Sequence, residues 1–285
     1  MKIIVEKPMS LFEATQLLSP DSSKTTCRSW LKDNRVLVDD VVMTDGKELV
    51  FTGQTIRLGV RKPKSDTLDI LFEDRDIVVV NKPAGLLSVS TNFEKSACVH
   101  GFLKERYSEK NKVYVVHRLD QDTSGVILFA LNEKAYEFLK EELKQRLITR
   151  EYLAIVEGKL EKKGAWECYL EEDASYRVHA STNPAHGEKA KTYYDVLANG
   201  KDFSVLRLHL ETGKKNQIRV QASYFGHPVL GDGKYGSKTK FPHIALHARM
   251  LRFVHPRTKK VRSFTAAFPP SIEQFLLRHH VEIDD

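Results

Sequence analysis

Cysteine is scarce in this chain, with only three among 285 residues. Cys27, Cys98 and Cys168 are odd in number and widely separated, which excludes a disulfide framework, a zinc knuckle and a redox dithiol and leaves them as buried apolar fillers. Long hydrophobic runs are also lacking. The longest aliphatic run is Ile77 to Val80, far below the roughly 18 residues of a membrane span, so no membrane association is expected. No continuous apolar segment or small-residue cleavage site follows Lys2 and Lys7, which argues against a signal peptide and for a cytoplasmic location. Compositional bias is missing too: 41% apolar and 29% charged residues are ordinary values for a globular protein with a real core. What is in excess is positive charge. Lys and Arg number 45 against 38 Asp and Glu, a net +7, and such an excess favours a polyanionic partner, RNA or DNA first.

Nucleotide-cofactor motifs fail on context. Gly231, Gly233 and Gly236 spell G-x-G-x-x-G, but no long apolar strand precedes them and "SKTKFP" follows where a helix should start. A glycine-rich surface loop is the expected structure there. The nearest approach to a Walker A sequence has Ser237 and Lys238 in the wrong order, so ATP and GTP use is unsupported. His243 and His247 could sit one helical turn apart, but without a Glu between them or a third ligand no metal site is read.

Two domains are expected, residues 1–62 and 63–285, joined by the basic, proline-containing stretch Arg61 to Asp66. In the first, Ser10 and Glu13 form a capping box ahead of an apolar face of Leu11, Ala14, Leu17 and Leu18 that ends near Pro20. A second helix fits Thr25 to Asp33. Val36 to Val38 and Val41 to Met43 flank Asp39-Asp40 as a hairpin, and a strand near Gln54 to Leu58 closes the unit. Lys24, Arg28 and Lys32 recur at intervals of four and line one side of the second helix; alone they read as a solvated face, and they equally suit a phosphate backbone. Two short helices, the basic second helix and the "RVLVDDVVM" hairpin resemble the S-four type RNA-binding domain of ribosomal proteins and RNA-modifying enzymes. That resemblance assigns Lys24, Arg28 and Lys32 to RNA.

The second domain is rich in strands: Leu68 to Phe72, Ile77 to Val80, Val113 to Val116, Val126 to Ala130, Tyr152 to Val156, Ser204 to Leu210 and Gln217 to Gln221. One helix runs from about Glu133 to Gln145, with Ala135, Phe138, Leu139 and Leu143 on one face. The pattern predicts an α+β fold on a mixed, largely antiparallel sheet. Its most informative segment is "HRLDQDTSG", His117 to Gly125, a loop between two strands and hence a rigidly supported place to present reactive groups. Asp122, Thr123, Ser124 and Gly125 read as turn chemistry. Asp120 does not, because the basic pair His117-Arg118 precedes it.

"HRLDQDTSG" resembles the signature of the RluA family of RNA pseudouridine synthases, and three further segments match in order: "DILFEDRDIVVVNKPAG", "REYLAIVEG", and "TGKKNQIRV" with "GHPVLGDGKYG". The resemblance covers roughly residues 68 to 268. It implies isomerisation of uridine within RNA, ribosomal first and transfer RNA second, with no cofactor and no metal; oligomeric state is left open by the sequence, with a monomer as the default. It assigns the catalytic carboxylate to Asp120, whether that group attacks the anomeric carbon, attacks the base or removes the 2′ proton. Arg219 becomes the partner that holds the Asp120 pKa low. Tyr152 becomes the platform under the extruded base and an aid to removing the carbon-5 proton, and Arg118 fills the space the base leaves. Without that context Tyr152 would read as core and Arg219 as a surface or ion-pair arginine. Lys214, Asn216 and Gln221 stand where the family often has Arg, His and His. Two other classes compete: an RNA-binding or ribosome-assembly factor with an inactive pocket, and a hydrolase that uses Asp120 as a glycosidase-like nucleophile and leaves an abasic site.

Overall fold

The computed structural model describes residues 2–20, 22–33, 35–59, 68–90, 98–107 and 112–283, and the expected linker Arg61 to Asp66 lies outside them. The chain divides into two compact units, Met1–Pro63 and Lys64–Asp285.

The first unit contains β1 (Lys2–Ile4), β2 (Met9–Ser10), α1 (Leu11–Leu18), α2 (Lys24–Lys32), β3 (Val36–Val38), β4 (Val41–Val42), β5 (Leu49–Val50) and β6 (Thr55–Leu58). The capping box starts α1: the Glu13 N–H donates to the Ser10 hydroxyl at 3.2 Å, and the Ser10 N–H donates to the Glu13 carboxylate at 2.9 Å. Its buried face is Leu11, Ala14, Thr15 and Leu18, the i, i+3, i+4, i+7 set, so Leu17 points to solvent and not inward as the apolar reading expected. The β3–β4 hairpin turns on Asp39 and Asp40 at φ 47° and 69°, the left-handed pair that a two-residue hairpin needs. Side-chain bonds hold them there. The Asp39 carboxylate accepts from the Thr55 N–H at 2.8 Å, and Asp40 pairs with Arg57 at 2.6 Å. Helix α2 buries Cys27, Trp30 and Leu31 and leaves Lys24, Arg28 and Lys32 exposed on its other side.

The second unit is built on eleven strands: β7 (Asp69–Glu73), β8 (Ile77–Lys82), β9 (Tyr114–Val115), β10 (Ser124–Ala130), β11 (Thr149–Glu157), β12 (Lys163–Glu172), β13 (Val178–Ser181), β14 (Glu188–Asn199), β15 (Phe203–Leu210), β16 (Leu246–Val254) and β17 (Val261–Thr265). Nine of them run in the order β13-β12-β14-β15-β11-β16-β10-β8-β7, with β17 on β16 and β9 on β10. The pairing of β10 with β16 is parallel and the other strand pairings are antiparallel, the α+β arrangement expected. Helices α3 (Val99–Tyr107), α4 (Glu133–Lys144), α5 (Gln217–Tyr224) and α6 (Pro270–Arg278) complete the unit. Every residue of β10 is buried. Gly125, at φ 110°, lets β10 lie against β16, where an added Cβ would come within 2.2 Å of the Ala248 carbonyl oxygen.

One expected strand is a helix. "QIRVQ" alternates polar and apolar residues and so imitates a strand, but in α5 Gln217 through Ala222 are all buried, polar and apolar alike. The Gln221 amide donates at 3.0 Å to the carbonyls of Trp166 and Ala190, and its oxygen accepts from the Thr192 hydroxyl at 2.6 Å. With polar groups satisfied inside, hydrophobic periodicity no longer reports the helix. All three cysteines are free and buried. Among the described residues no helix is long and apolar enough to cross a membrane.

Candidate active site

The loop from β9 to β10 is held from below by three anchors. The His117 imidazole, buried and held down to a pKa of about 3 chiefly by loss of water and then by Arg150, is neutral and accepts the Leu128 N–H at 3.2 Å. Ser88 donates its hydroxyl to the Leu119 carbonyl at 2.7 Å and accepts the Leu119 N–H at 3.0 Å. Lys82, at the end of β8 and fully buried, donates to the carbonyls of Pro83, Leu86 and Gln121 at 3.0, 2.7 and 2.8 Å. Burial pulls its ammonium down to about 7, against the pull of Asp122 and Asp120. Three carbonyl acceptors require three N–H donors, so the charged form fits this nest.

These anchors present Asp120 at an open cleft of about 780 Å³ that is also lined by Arg118, Arg150, Lys214, Arg219 and Lys234. Its side chain is 25% exposed and lies 3.7 Å from the Arg219 guanidinium. Arg219 gives its stronger bonds elsewhere. It forks onto Asp232, Nε to Oδ2 at 2.6 Å and Nη2 to Oδ1 at 2.9 Å, and turns only Nη1 toward Asn216 and Asp120. The expectation of a lowered Asp120 pKa is therefore corrected. Burial pushes the carboxyl above the ordinary aspartate range, and Arg219, Lys82 and the Asn216 N–H offset that only in part. Asn216 stands at φ 53° just before α5, which lets its N–H face Asp120 while its side chain bonds Arg219 and the Tyr235 hydroxyl.

Tyr152 projects from β11 into the same place, where it shares a narrow recess of about 70 Å³ with Asp120, Arg118, Arg150 and Asn216. Burial raises its hydroxyl pKa and the Asp120 charge adds to this, while Arg150 opposes it, so the ring is a neutral phenol at neutral pH. Asp120, Tyr152 and Arg219, far apart in sequence, are thus brought together, with exposed Arg118 at the rim. Lys24, Arg28 and Lys32 belong to the other unit. Sequence reasoning missed Lys82 and Asp232. Asp232 lies inside the glycine-rich segment read as surface loop, yet its side chain is 1% exposed and holds Arg219. Gly231 at φ 81° supplies the tight entry, with the His243 carbonyl oxygen 2.0 Å from where a Cβ would sit.

The arrangement offers one carboxylate edge to a ligand, a cation behind it, an aromatic ring beside it and a basic rim. It can attack or deprotonate a sugar or base next to the ring.

Residues 76–224 match the family of RNA pseudouridylate synthases. "Ribosomal large subunit pseudouridine synthase D" of Yersinia pestis is 32% identical over 291 aligned positions, covering 93% of this chain and 89% of that protein. "Uncharacterized RNA pseudouridine synthase YhcT" of Bacillus subtilis strain 168 is 34% identical over 265 positions, covering 88% and 87%. The solved structure "Human RNA Pseudouridylate Synthase Domain Containing 4" shares the fold, with a TM-score of 0.64 at 23% identity over 76% of this chain and 95% of that one. With over half its length matched to one family, and with relatives that align along nearly all of it, the chain belongs to the RNA pseudouridylate synthases and is an RNA-modifying isomerase.

Proposed function

We propose that this isomerase converts specific uridines of ribosomal RNA to pseudouridine, with Asp120 as its catalytic carboxylate. The observation that carries this reading is Asp120 itself, held on an anchored loop with one edge open to the cleft, Arg219 behind it and Tyr152 beside it. The reaction breaks the bond from N1 to the ribose and forms one from C5; the C5 proton leaves and N1 gains a proton. Asp120 labilises the first bond by one of the three routes named above. Tyr152 carries the extruded base, and Arg118 fills the gap in the helix. The ribosomal target is favoured by near-full-length relatives named for the large ribosomal subunit. A monomer in the cytoplasm, working without cofactor or metal, completes the reading.

The test is tritium release from large-subunit ribosomal RNA of the source organism, transcribed with uridine labelled at carbon-5. Release with an intact backbone after aniline treatment is the expected result. Cleavage at abasic sites would select the hydrolase, and binding without release the assembly factor.

The front unit enters the proposal as an S-four type RNA-binding domain, supported by the exposed row Lys24, Arg28 and Lys32 on α2. Changing all three to Ala is expected to weaken binding and to reduce the slope of log affinity against log salt by about 2 to 3, since each phosphate contact contributes about one. An unchanged slope in filter-binding titrations removes the row from the interface.

A further inference from the structure

Two cations, one lining the Asp120 cleft and the other bonded to the first, have no role in the chemistry above. Lys234 lies in the 3-10 turn Gly233–Tyr235, directly after Asp232, and lines the cleft with Asp120. Arg177 reaches Lys234 from the β12–β13 hairpin. That hairpin is locked: Asp173 accepts the Ser175 hydroxyl at 2.6 Å and the N–H groups of Arg177 and Ser175 at 2.9 and 2.8 Å and binds His179 at 2.6 Å, and these bonds, the Ser175 hydroxyl first, hold its carboxyl well below the usual range. Lys215, another cleft residue, ties the tip down by pairing with Glu172 and donating to the Tyr176 carbonyl at 3.1 Å. So fixed, Arg177 donates to the Lys234 carbonyl at 2.7 Å.

Tyr235 gathers the charges. Its ring centroid lies 5.7 Å from the Arg177 guanidinium, 5.6 Å from the Lys234 ammonium and 5.2 Å from the Arg219 guanidinium. Arg219 has Asp232 and Lys215 has Glu172, but among the described residues neither Arg177 nor Lys234 is ion-paired with a carboxylate. The Lys234 ammonium is held below the ordinary lysine range, first by burial and then by Arg219, Lys215 and Arg177, with Asp120 opposing them. Arg177 and Lys234, gathered at one ring and without a carboxylate ion pair among the described residues, form a standing site for an anion.

We infer that Lys234 and Arg177 seat a phosphate of the RNA strand beside the uridine being isomerised. The inference rests on the reading of the Asp120 cleft given above and adds to it the element that sets the strand in register. The ligand is a phosphodiester, because a guanidinium and an ammonium gathered at the same ring suit its two free oxygens. The seat is rigidly joined to the chemistry: Asp232, one residue before the turn, holds Arg219, and Asn216 bonds both Arg219 and the Tyr235 hydroxyl.

The test compares wild type, the double variant Arg177→Ala/Lys234→Ala and Lys234→Arg on the large-subunit ribosomal RNA transcript labelled at uracil carbon-5. The double variant is expected to bind at least ~10-fold more weakly and to lose about 1 from its salt slope, while Lys234→Arg stays close to wild type. Its loss of turnover falls on KM, and saturating RNA restores it. Ethylation of one phosphate within a nucleotide or two of the new pseudouridine should hinder binding by wild type and not by the double variant. Inorganic phosphate that displaces the RNA without such a mapped position would mark a general anion site and overturn the inference. Tritium release with unchanged affinity and slope overturns it alone, whereas RNA binding by wild type without any release overturns the reading of the cleft and this inference with it.

Discussion

Asp120→Asn is expected to lower turnover of ribosomal RNA by at least ~1,000-fold while leaving the fold as stable as before. The substitution keeps the shape and an acceptor for the Asn216 N–H but removes the charge and the nucleophilic oxygen pair. Stability is spared for a reason that follows from the sign of the pKa shift. A carboxyl raised above its unfolded value contributes stability that is fully present below that unfolded value and is lost as pH rises through the folded one. At neutral pH the ionised Asp120 therefore costs the fold something, and Asn removes that cost. Thermal unfolding should show an equal or slightly higher midpoint. The same shift sets the pH profile: activity that needs the ionised carboxylate fails on acidification at a pH above that of an ordinary aspartate, with log kcat falling by one per pH unit. A variant that keeps activity, or an acid limb at the usual aspartate value, removes Asp120 from its assigned role.

The parts of this fold that the sequence made legible are those in which one local rule decides. Ser10 and Glu13 mark the start of α1 because a capping box is a matter of residues three apart, and the β3–β4 hairpin was visible because strands on both sides leave two residues for a turn. Elements went unread where burial and polarity part company. Helix α5 hides Gln217, Arg219 and Gln221 inside, which erases the apolar stripe by which a helix is recognised. The site follows the same division. Asp120 stood out by its neighbours, and Tyr152 and Arg219 only by resemblance, since their meeting is created by sheet order and no spacing encodes it. Lys82 and Asp232 gave no sign: a lysine ending a strand and an aspartate between glycines read as surface groups, and only their partners, three carbonyls and a guanidinium, show them to be internal.

That hidden aspartate governs the second large effect. Arg219 and Asp232 are 7% and 1% exposed, and their pair is forked, with contacts of 2.6 and 2.9 Å. Asp232→Ala leaves a guanidinium buried without its main partner, a change that costs about 3–5 kcal/mol. For a unit of this size that lowers the melting midpoint by about 6–20 °C. Asp232→Asn keeps one acceptor and should lose less, which makes it the better probe of chemistry. Freed from its fork, Arg219 turns to Asp120, whose carboxylate lies 3.7 Å away, and the Asp232 charge that had pushed the Asp120 pKa upward is gone. Both changes favour ionised Asp120. The acid limb of kcat should therefore move to lower pH in the Asn variant, while the plateau falls because an aspartate clamped to Arg219 is a poorer nucleophile or base. That pair of results is the one expected if Asp232 holds Arg219 back from Asp120. An Asn variant that melts lower but keeps the wild-type acid limb would show that Asp232 serves the fold alone.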